Sequence, residues 1–276
     1  MLSTAVAGTA PVFAHPFDPF AEDKQGALAL ILAHLRDGEL HEALLQADDA
    51  VNKFPKHGPF YALKAQILLR QGKTDDAEHA VQRAVDLSPD YALAYWIRGL
   101  IRQQRGQYAP AIDDFSQAID REDQNEALKI QATGSRGMAL AALGRHREAV
   151  ADLDRAIEAR PNAFAERQFR AESQLALAQW ASARVDIEHL LAMDANNPLT
   201  LRLHGESLLQ QGRAQQALTA LDGAIKTQPK DARTYRLRAQ AHAKLNHRTA
   251  QQRDLAHACR LGDRSACAPA KSQAQD

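Results

Sequence analysis

Small and large apolar residues alternate along the chain in an order that returns every 34 residues. Gly38, Gly72 and Gly106 are spaced by that period, and Gly144 and Gly212 continue it after a slip of four, with Ala178 between them and Asn246 after them. Seven repeats follow, at 24–57, 58–91, 92–125, 130–163, 164–197, 198–231 and 232–265, with residues 126–129 as an insertion. Numbering each repeat from 1 to 34, position 8 is small (Ala65, Gly99, Gly137, Ala171, Gly205, Ala239) and so is position 20 (Ala43, Ala77, Ala111, Ala149, Ala183, Ala217). Position 24 is large, as in Val81, Phe115, Leu153, Ile187 and Leu221. Large side chains set beside small ones are what interlocking helix pairs require.

Pro55, Pro89, Pro161 and Pro229 stand at position 32, where a proline ends a second helix without disturbing its interior. A seven-fold pattern of this kind resembles the tetratricopeptide repeat family, in which each repeat is a helix–turn–helix. The resemblance covers residues 24–265 and implies an all-α, right-handed superhelical solenoid of seven such units. Residues 1–23 then form a flexible leader or a weak or truncated export signal, and 266–276 a C-terminal cap and tail. Arg167 and Thr133 at position 4 and Leu190 at position 27 depart from the family pattern, so packing at those joints is expected to differ. The insertion is expected to lengthen the second helix of repeat 3 or its exit loop, making the joint between repeats 3 and 4 the expected bend.

Position 7, often apolar in the family, carries a basic row: Lys64, Arg98, Arg136, Arg170, His204 and Arg238. Such a row suggests an anionic ligand. Position 23, however, reads Asp114, Asp152, Asp186 and Asp254 in the same four repeats that have arginine. The match predicts structural pairs Arg98–Asp114, Arg136–Asp152, Arg170–Asp186 and Arg238–Asp254, joining the two helices of one repeat, since arginine takes a carboxylate bidentately. Lys64 and His204 have no matching acid at position 23 and no account under this reading.

The family resemblance implies that first-helix positions 2, 5, 6, 9, 12 and 13 line an inner groove where peptides bind. Carried over, they give an apolar half containing Leu28, Leu32, Leu35, Gln66, Leu69, Trp96 and Leu100, and a polar half containing Glu172, Arg202, Glu206, Arg236 and Gln240. Trp96 is the expected apolar anchor, and Arg202 and Arg236 the cationic end. The chain's own segment from His15 to Phe20 is an alternative occupant of the apolar half. Family members that clamp acidic chaperone tails use Lys and Asn at positions 5 and 9; here those positions hold Trp96, Arg202, Arg236, Leu100, Glu172 and Glu206 among others, so that clamp is absent.

Two cysteines, Cys259 and Cys267, resemble the spacing of a disulfide-bearing subclass of these repeats. Their count and spacing are also compatible with two reduced, inert residues closing the array. With His257 they offer too few ligands for structural zinc, and no metal is expected. Val12-Phe13-Ala14 resembles a small-x-small cleavage pattern, though no positive start precedes it. These features together point to a periplasmic or secreted protein, with the cytoplasm as the alternative.

Composition narrows the function. Lys+Arg 34 equals Asp+Glu 34, which argues against dedicated nucleic-acid binding, and no apolar run is long enough to span a bilayer. The balance hides an asymmetry: repeat 7 has eight basic and two acidic residues, while everything before residue 232 has 25 basic and 31 acidic. An acidic partner segment is thus expected to dock toward the C-terminal end. The eleven histidines and fourteen glycines form no metalloprotease, nucleophile-elbow or phosphate-loop motif, so no catalytic residue and no cofactor is expected. The expectation is a non-catalytic scaffold binding a peptide or protein segment in its groove. The alternative is an accessory or regulatory subunit of an envelope assembly, secretion or polysaccharide machine, acting through its convex or basic C-terminal surface.

Overall fold

A computed structural model describes residues 20–122 and 124–267. The leader residues before Phe20, including all but the last residue of the segment expected against the apolar half-groove, and the tail after Cys267 lie outside the described residues. The chain divides into two compact units, residues 1–161 and 162–276. The N-terminal unit contains α1 (Ala21–Asp37), α2 (Leu40–Lys53), α3 (Gly58–Arg70), α4 (Thr74–Leu87), α5 (Ala92–Gln104), α6 (Tyr108–Arg121), α7 (Glu126–Ala142) and α8 (His146–Ala159). The C-terminal unit contains α9 (Phe164–Ala176), α10 (Trp180–Met193), α11 (Pro198–Gln210), α12 (Ala214–Thr227), α13 (Ala232–Lys244), α14 (Arg248–Arg260) and a single 3-10 turn, Arg264–Ala266. The fourteen helices form seven antiparallel pairs, four in one unit and three in the other, and the described residues contain no strand.

The repeating small residue at the end of each first helix has one conformational job. Gly38, Gly72, Gly106, Gly144 and Gly212 all have φ between 73° and 81°, and Ala178 and Asn246 adopt the same left-handed backbone at 58° and 62°. That conformation ends the helix in a Schellman-type turn: Lys73 N–H donates back to Leu68 O at 2.9 Å, Gln107 to Arg102 O at 2.9 Å, and Gln179 to Gln174 O at 2.8 Å. The chain reverses in about three residues and the second helix lies back on the first.

Position 8 sets how closely the two helices approach. A Cβ built on Gly99 would lie 2.5 Å from the Phe115 ring, one on Gly137 2.8 Å from Leu153 Cγ, and one on Gly205 2.6 Å from Leu221 Cγ. The absent side chain is the socket for the large residue at position 24. Phe115, Leu153 and Leu221 are accordingly fully buried, each worth about 1.5–3 kcal/mol of apolar transfer.

In each unit the first helices of successive pairs touch one another (α1 with α3, α3 with α5, α5 with α7; α9 with α11, α11 with α13), while successive second helices make no comparable contact. The first helices therefore line the inner face of each unit.

The insertion is placed differently from the sequence expectation. α6 ends at Arg121, in register with the other second helices, and residues 126–129 instead form an extra first turn of α7, which has 17 residues where most first helices have 13. Asn125 caps that turn, its Oδ1 accepting Leu128 N–H at 3.0 Å, and Leu128 is buried beneath it. The boundary between the two units falls after Pro161, between repeats 4 and 5. α1 likewise starts at Ala21, so residues 21–23, assigned to the leader, belong to the first helix.

Candidate functional site

The basic row at position 7 is consumed inside the fold. Arg98 Nη2 meets Asp114 Oδ1 at 2.7 Å, Arg136 Nε meets Asp152 Oδ2 at 2.7 Å, Arg170 Nη2 meets Asp186 Oδ1 at 2.6 Å and Arg238 Nη2 meets Asp254 Oδ1 at 2.7 Å. In each pair Nε and Nη2 both donate to the carboxylate, the two-pronged arrangement that arginine alone provides. The aspartates are 1–5% exposed, so the arginine is their main source of compensation. Hydrogen bonds to Asp152 raise the Arg136 pKa above its ordinary value more than burial lowers it, and Arg238 is raised the same way by Asp254.

Sequence reasoning missed a second half to this device. The remaining nitrogen of the same arginine reaches the preceding repeat: Arg98 Nη1 donates to Gln82 Oε1 at 3.2 Å, Arg136 Nη1 to Ser116 Oγ at 3.2 Å, and Arg238 Nη1 to Asp222 Oδ1 at 2.7 Å. Those partners stand at position 25. With a period of 34, position 7 lies 16 residues before position 23 of its own repeat and 16 after position 25 of the previous one, or 20 for Arg136, which follows the four-residue insertion. The cation is thus a staple between repeats as well as within them. Lys64 is explained by the same spacing, for its Nζ meets Asp48 at 2.7 Å. His204 stands at the same offset from Glu188, whose charge favours its protonation, although burial and Arg213 together lower its pKa. Arg167, the odd residue at position 4, also donates to Asp186 at 2.8 Å, and Arg102 reaches Asp114 at 2.8 Å.

The inner face of the N-terminal unit is sheltered. Leu28, Leu32, Leu69, Trp96 and Leu100 are half-buried, and the first four pack at the edges of the helix-pair cores. Leu35 and Gln66 are 5% and 8% exposed; both sit within the packing, so neither is a surface of the groove. Trp96 donates its ring N–H to Ser135 Oγ on α7 at 3.2 Å, which fixes the indole across two first helices. Gln103, at position 12 of the same helix, has a buried Oε1 with no hydrogen-bond partner.

The inner face of the C-terminal unit departs from the expected cationic end. Arg236 Nε donates to Asp263 Oδ2 at 2.7 Å, and this carboxylate also caps the 3-10 turn through Ser265 N–H at 3.0 Å; the Ser265 hydroxyl and Arg236 hold its pKa below the ordinary value. Arg202 is 6% exposed and surrounded by Glu172 at 3.5 Å, Asp231 at 3.5 Å and Glu206 at 3.9 Å. Burial, and then the charge of Arg233, lower its pKa. Arg233 itself pairs with Glu172 and, at 3.0 Å, with Glu206. Gln168 at the equivalent position donates to the helix-capping Asn197 at 2.9 Å. Position 5 in this unit therefore engages acids and amides at the start of the next helix, and its positive charge is neutralised locally. Gln240, on α13, is exposed.

Free positive charge lies elsewhere. Lys244, Arg248, Arg253, Arg260 and Arg264, on α13, α14 and the turn beyond, are exposed and pair with no acid among the described residues. Cys259 and Cys267 are joined by a disulfide that ties the end of α14 to this turn. No helix among the described residues is long and apolar enough to cross a membrane.

The repeat geometry agrees with a family model described as tetratricopeptide repeat, which matches residues 62–127, 102–164 and 202–256. The chain belongs to the tetratricopeptide repeat family. It is similar to the Hsp70-Hsp90 organizing protein of Triticum aestivum, 27% identical over 179 residues that cover 63% of this chain and 30% of that protein. The chain spans about a third of the length of the first curated relatives that it matches. Among solved structures, YrrB, a TPR protein with an unusual peptide-binding site, is 20% identical with a TM-score of 0.57 and shares 68% of this chain and 95% of its own. PilW, a type IV pilus biogenesis factor, is 19% identical with a TM-score of 0.63 over 77% of this chain and 97% of its own. These likenesses establish the fold, whose repeats serve protein–protein interaction as a general role.

Proposed function

We propose that the chain is a scaffold that takes an extended segment of a partner protein on the inner face of its first helices. The observation that carries this reading is the strip of half-buried Leu28, Leu32, Leu69, Trp96 and Leu100 along α1, α3 and α5. An aliphatic strip beside a fixed indole is the kind of pocket in which interface anchors concentrate their binding energy. The orphan Gln103 Oε1 on the same helix as Trp96 and Leu100 supplies an acceptor for a peptide N–H. The Lys and Asn clamp for acidic chaperone tails is missing from positions 5 and 9, which argues against a partner of that kind. The test is affinity capture with the wild type beside Trp96→Ala/Leu100→Ala, each first checked by circular dichroism. Loss of the captured partner in the folded double variant supports the inner-face reading, and full retention refutes it.

A second reading has its own observation. The five exposed cations Lys244, Arg248, Arg253, Arg260 and Arg264, with no acid paired to them among the described residues, form a basic end suited to an acidic partner segment, as in an accessory subunit of a larger envelope assembly. Capture that survives Trp96→Ala/Leu100→Ala but is lost in Arg248→Glu/Arg253→Glu/Arg260→Glu and in high salt favours this reading. The disulfide supports an oxidising compartment, periplasmic or extracellular. Thiol titration of the native protein tests this, and two reactive thiols would overturn it.

A further inference from the structure

We infer that Glu172 and Glu206, on the inner face of the C-terminal unit, are a receptor for an arginine side chain of a partner, occupied in the free chain by Arg233. The inference rests on the inner-face reading above and specifies the partner's chemistry at one place.

The argument starts from how Arg233 is held. Glu172 lies at position 9 of α9 and Glu206 at position 9 of α11, one repeat apart on the same face. Arg233, from the first turn of α13, reaches back across both: Nη1 donates to Glu172 and Nη2 to Glu206 at 3.0 Å. Two carboxylates each taking one end of a guanidinium make a geometry that fits this group and no rounder cation. Arg233 is the most exposed member of the cluster, with 37% of its side chain accessible against 25% and 19% for the two glutamates. It is able to swing into water and leave the carboxylates in place.

A second, independent feature points to a ligand. Arg202 lies beneath the glutamates with only 7% of its side chain exposed, and its Nη1 has no hydrogen-bond partner. Its nearest carboxylate oxygens are 3.5–3.9 Å away, beyond hydrogen-bonding reach. A buried N–H left in this state is unfavourable, and a partner's main-chain carbonyl next to the incoming arginine would satisfy it. Once Arg233 moves away, Arg202 alone faces Glu172, Glu206 and Asp231, so the vacated site is anionic and selects a cation over an acid.

Arg233 is then an internal competitor. If it fills the receptor about nine-tenths of the time, deleting it strengthens binding about tenfold. The probe is the peptide acetyl-Ala-Ala-Arg-Ala-Ala-amide, titrated into the full chain and read by chemical-shift changes, with lysine and glutamate versions alongside. The expected result is that Arg233→Ala binds the arginine peptide about tenfold more tightly than the wild type, that lysine binds more weakly, and that glutamate does not bind. Adding Glu172→Gln/Glu206→Gln to that variant should remove the gain. Arg233→Lys, which keeps charge and loses the fork, should fall between wild type and Arg233→Ala. Equal binding by wild type and a folded Arg233→Ala, or preference for the glutamate peptide, would overturn the inference. If Trp96→Ala/Leu100→Ala abolishes partner capture while the arginine peptide gives no response in Arg233→Ala, the receptor is refuted and the inner-face reading stands.

Discussion

The pair Arg136–Asp152 offers the sharpest test of the claim that the basic row is architectural. Asp152 is 5% exposed and receives Nε at 2.7 Å and Nη2 at 2.9 Å from an arginine whose side chain is 23% exposed. Stranding a buried carboxylate by removing its partner costs about 3–5 kcal/mol, and water entering along the exposed flank of the vacated site reduces this to about 2–3. Arg136→Met keeps the stem's packing, so this figure also includes the lost bond to Ser116, about 0.5–1 kcal/mol. Asp152→Ala leaves an arginine that can turn to solvent and should cost less, about 1–2 kcal/mol. The double variant strands nothing, so its loss should be no greater than that of Arg136→Met alone. The coupling energy is then about 1–2 kcal/mol, well above the roughly 0.5 kcal/mol scatter of independent sites. Urea denaturation followed by circular dichroism measures all four proteins. If the double variant's loss equals the sum of the two single losses, the pair does not act as a unit and the staple account fails.

Three further outcomes follow from single positions. Gly205→Ala would stabilise an ordinary helix by about 1 kcal/mol, but its Cβ would meet Leu221 Cγ at 2.6 Å, so a net loss of about 1–2 kcal/mol is expected in thermal or urea melts; a more stable variant would contradict the socket argument. Ala178 occupies the left-handed turn at φ 58° where five repeats use glycine, and Ala178→Gly should gain about 0.5–1 kcal/mol in the same assay; a loss would show that the turn is not strained. Burial and Arg213 lower the His204 pKa below the unfolded value of 6.5, so the unfolded chain binds the proton first. The stability this histidine contributes is therefore complete above about pH 6.5 and declines as pH falls toward its folded pKa. His204→Gln should flatten the stability curve as pH falls below about 6.5, and an unchanged slope would remove this assignment.

Fold and staples were legible in the sequence for one reason: a repeat compares the chain with itself. The glycine series marked the left-handed turns, and Ala178 and Asn246 were recognisable only because they stood in that register. The pairing of position 7 with position 23 was visible as co-occurrence within repeats. Its partner at position 25 lies in the preceding repeat, across a boundary that co-occurrence within repeats does not reach, although Lys64 and Asp48 stand 16 residues apart. The length of the insertion does not say which helix it extends, but its content does. Asn125 followed by Glu126 and Leu128 is a helix start, with a capping amide, an acid in the first turn and a buried leucine. The charge of the inner face was not legible in the same way. A position list gives Arg202 and Arg236 as cations, but whether they face a ligand depends on Asp231 and Asp263, which reach them only once the next helix or turn is built.

The central claim is that partners are bound along the inner face of the first helices. Hydrogen exchange, compared between the free chain and its complex with the captured partner, tests it directly. The account predicts new protection in α1, α3 and α5 around Leu28, Leu69, Trp96 and Leu100, with α14 unchanged. Protection confined to α14 and the turn that follows it, with α1, α3 and α5 exchanging as in the free chain, would contradict it.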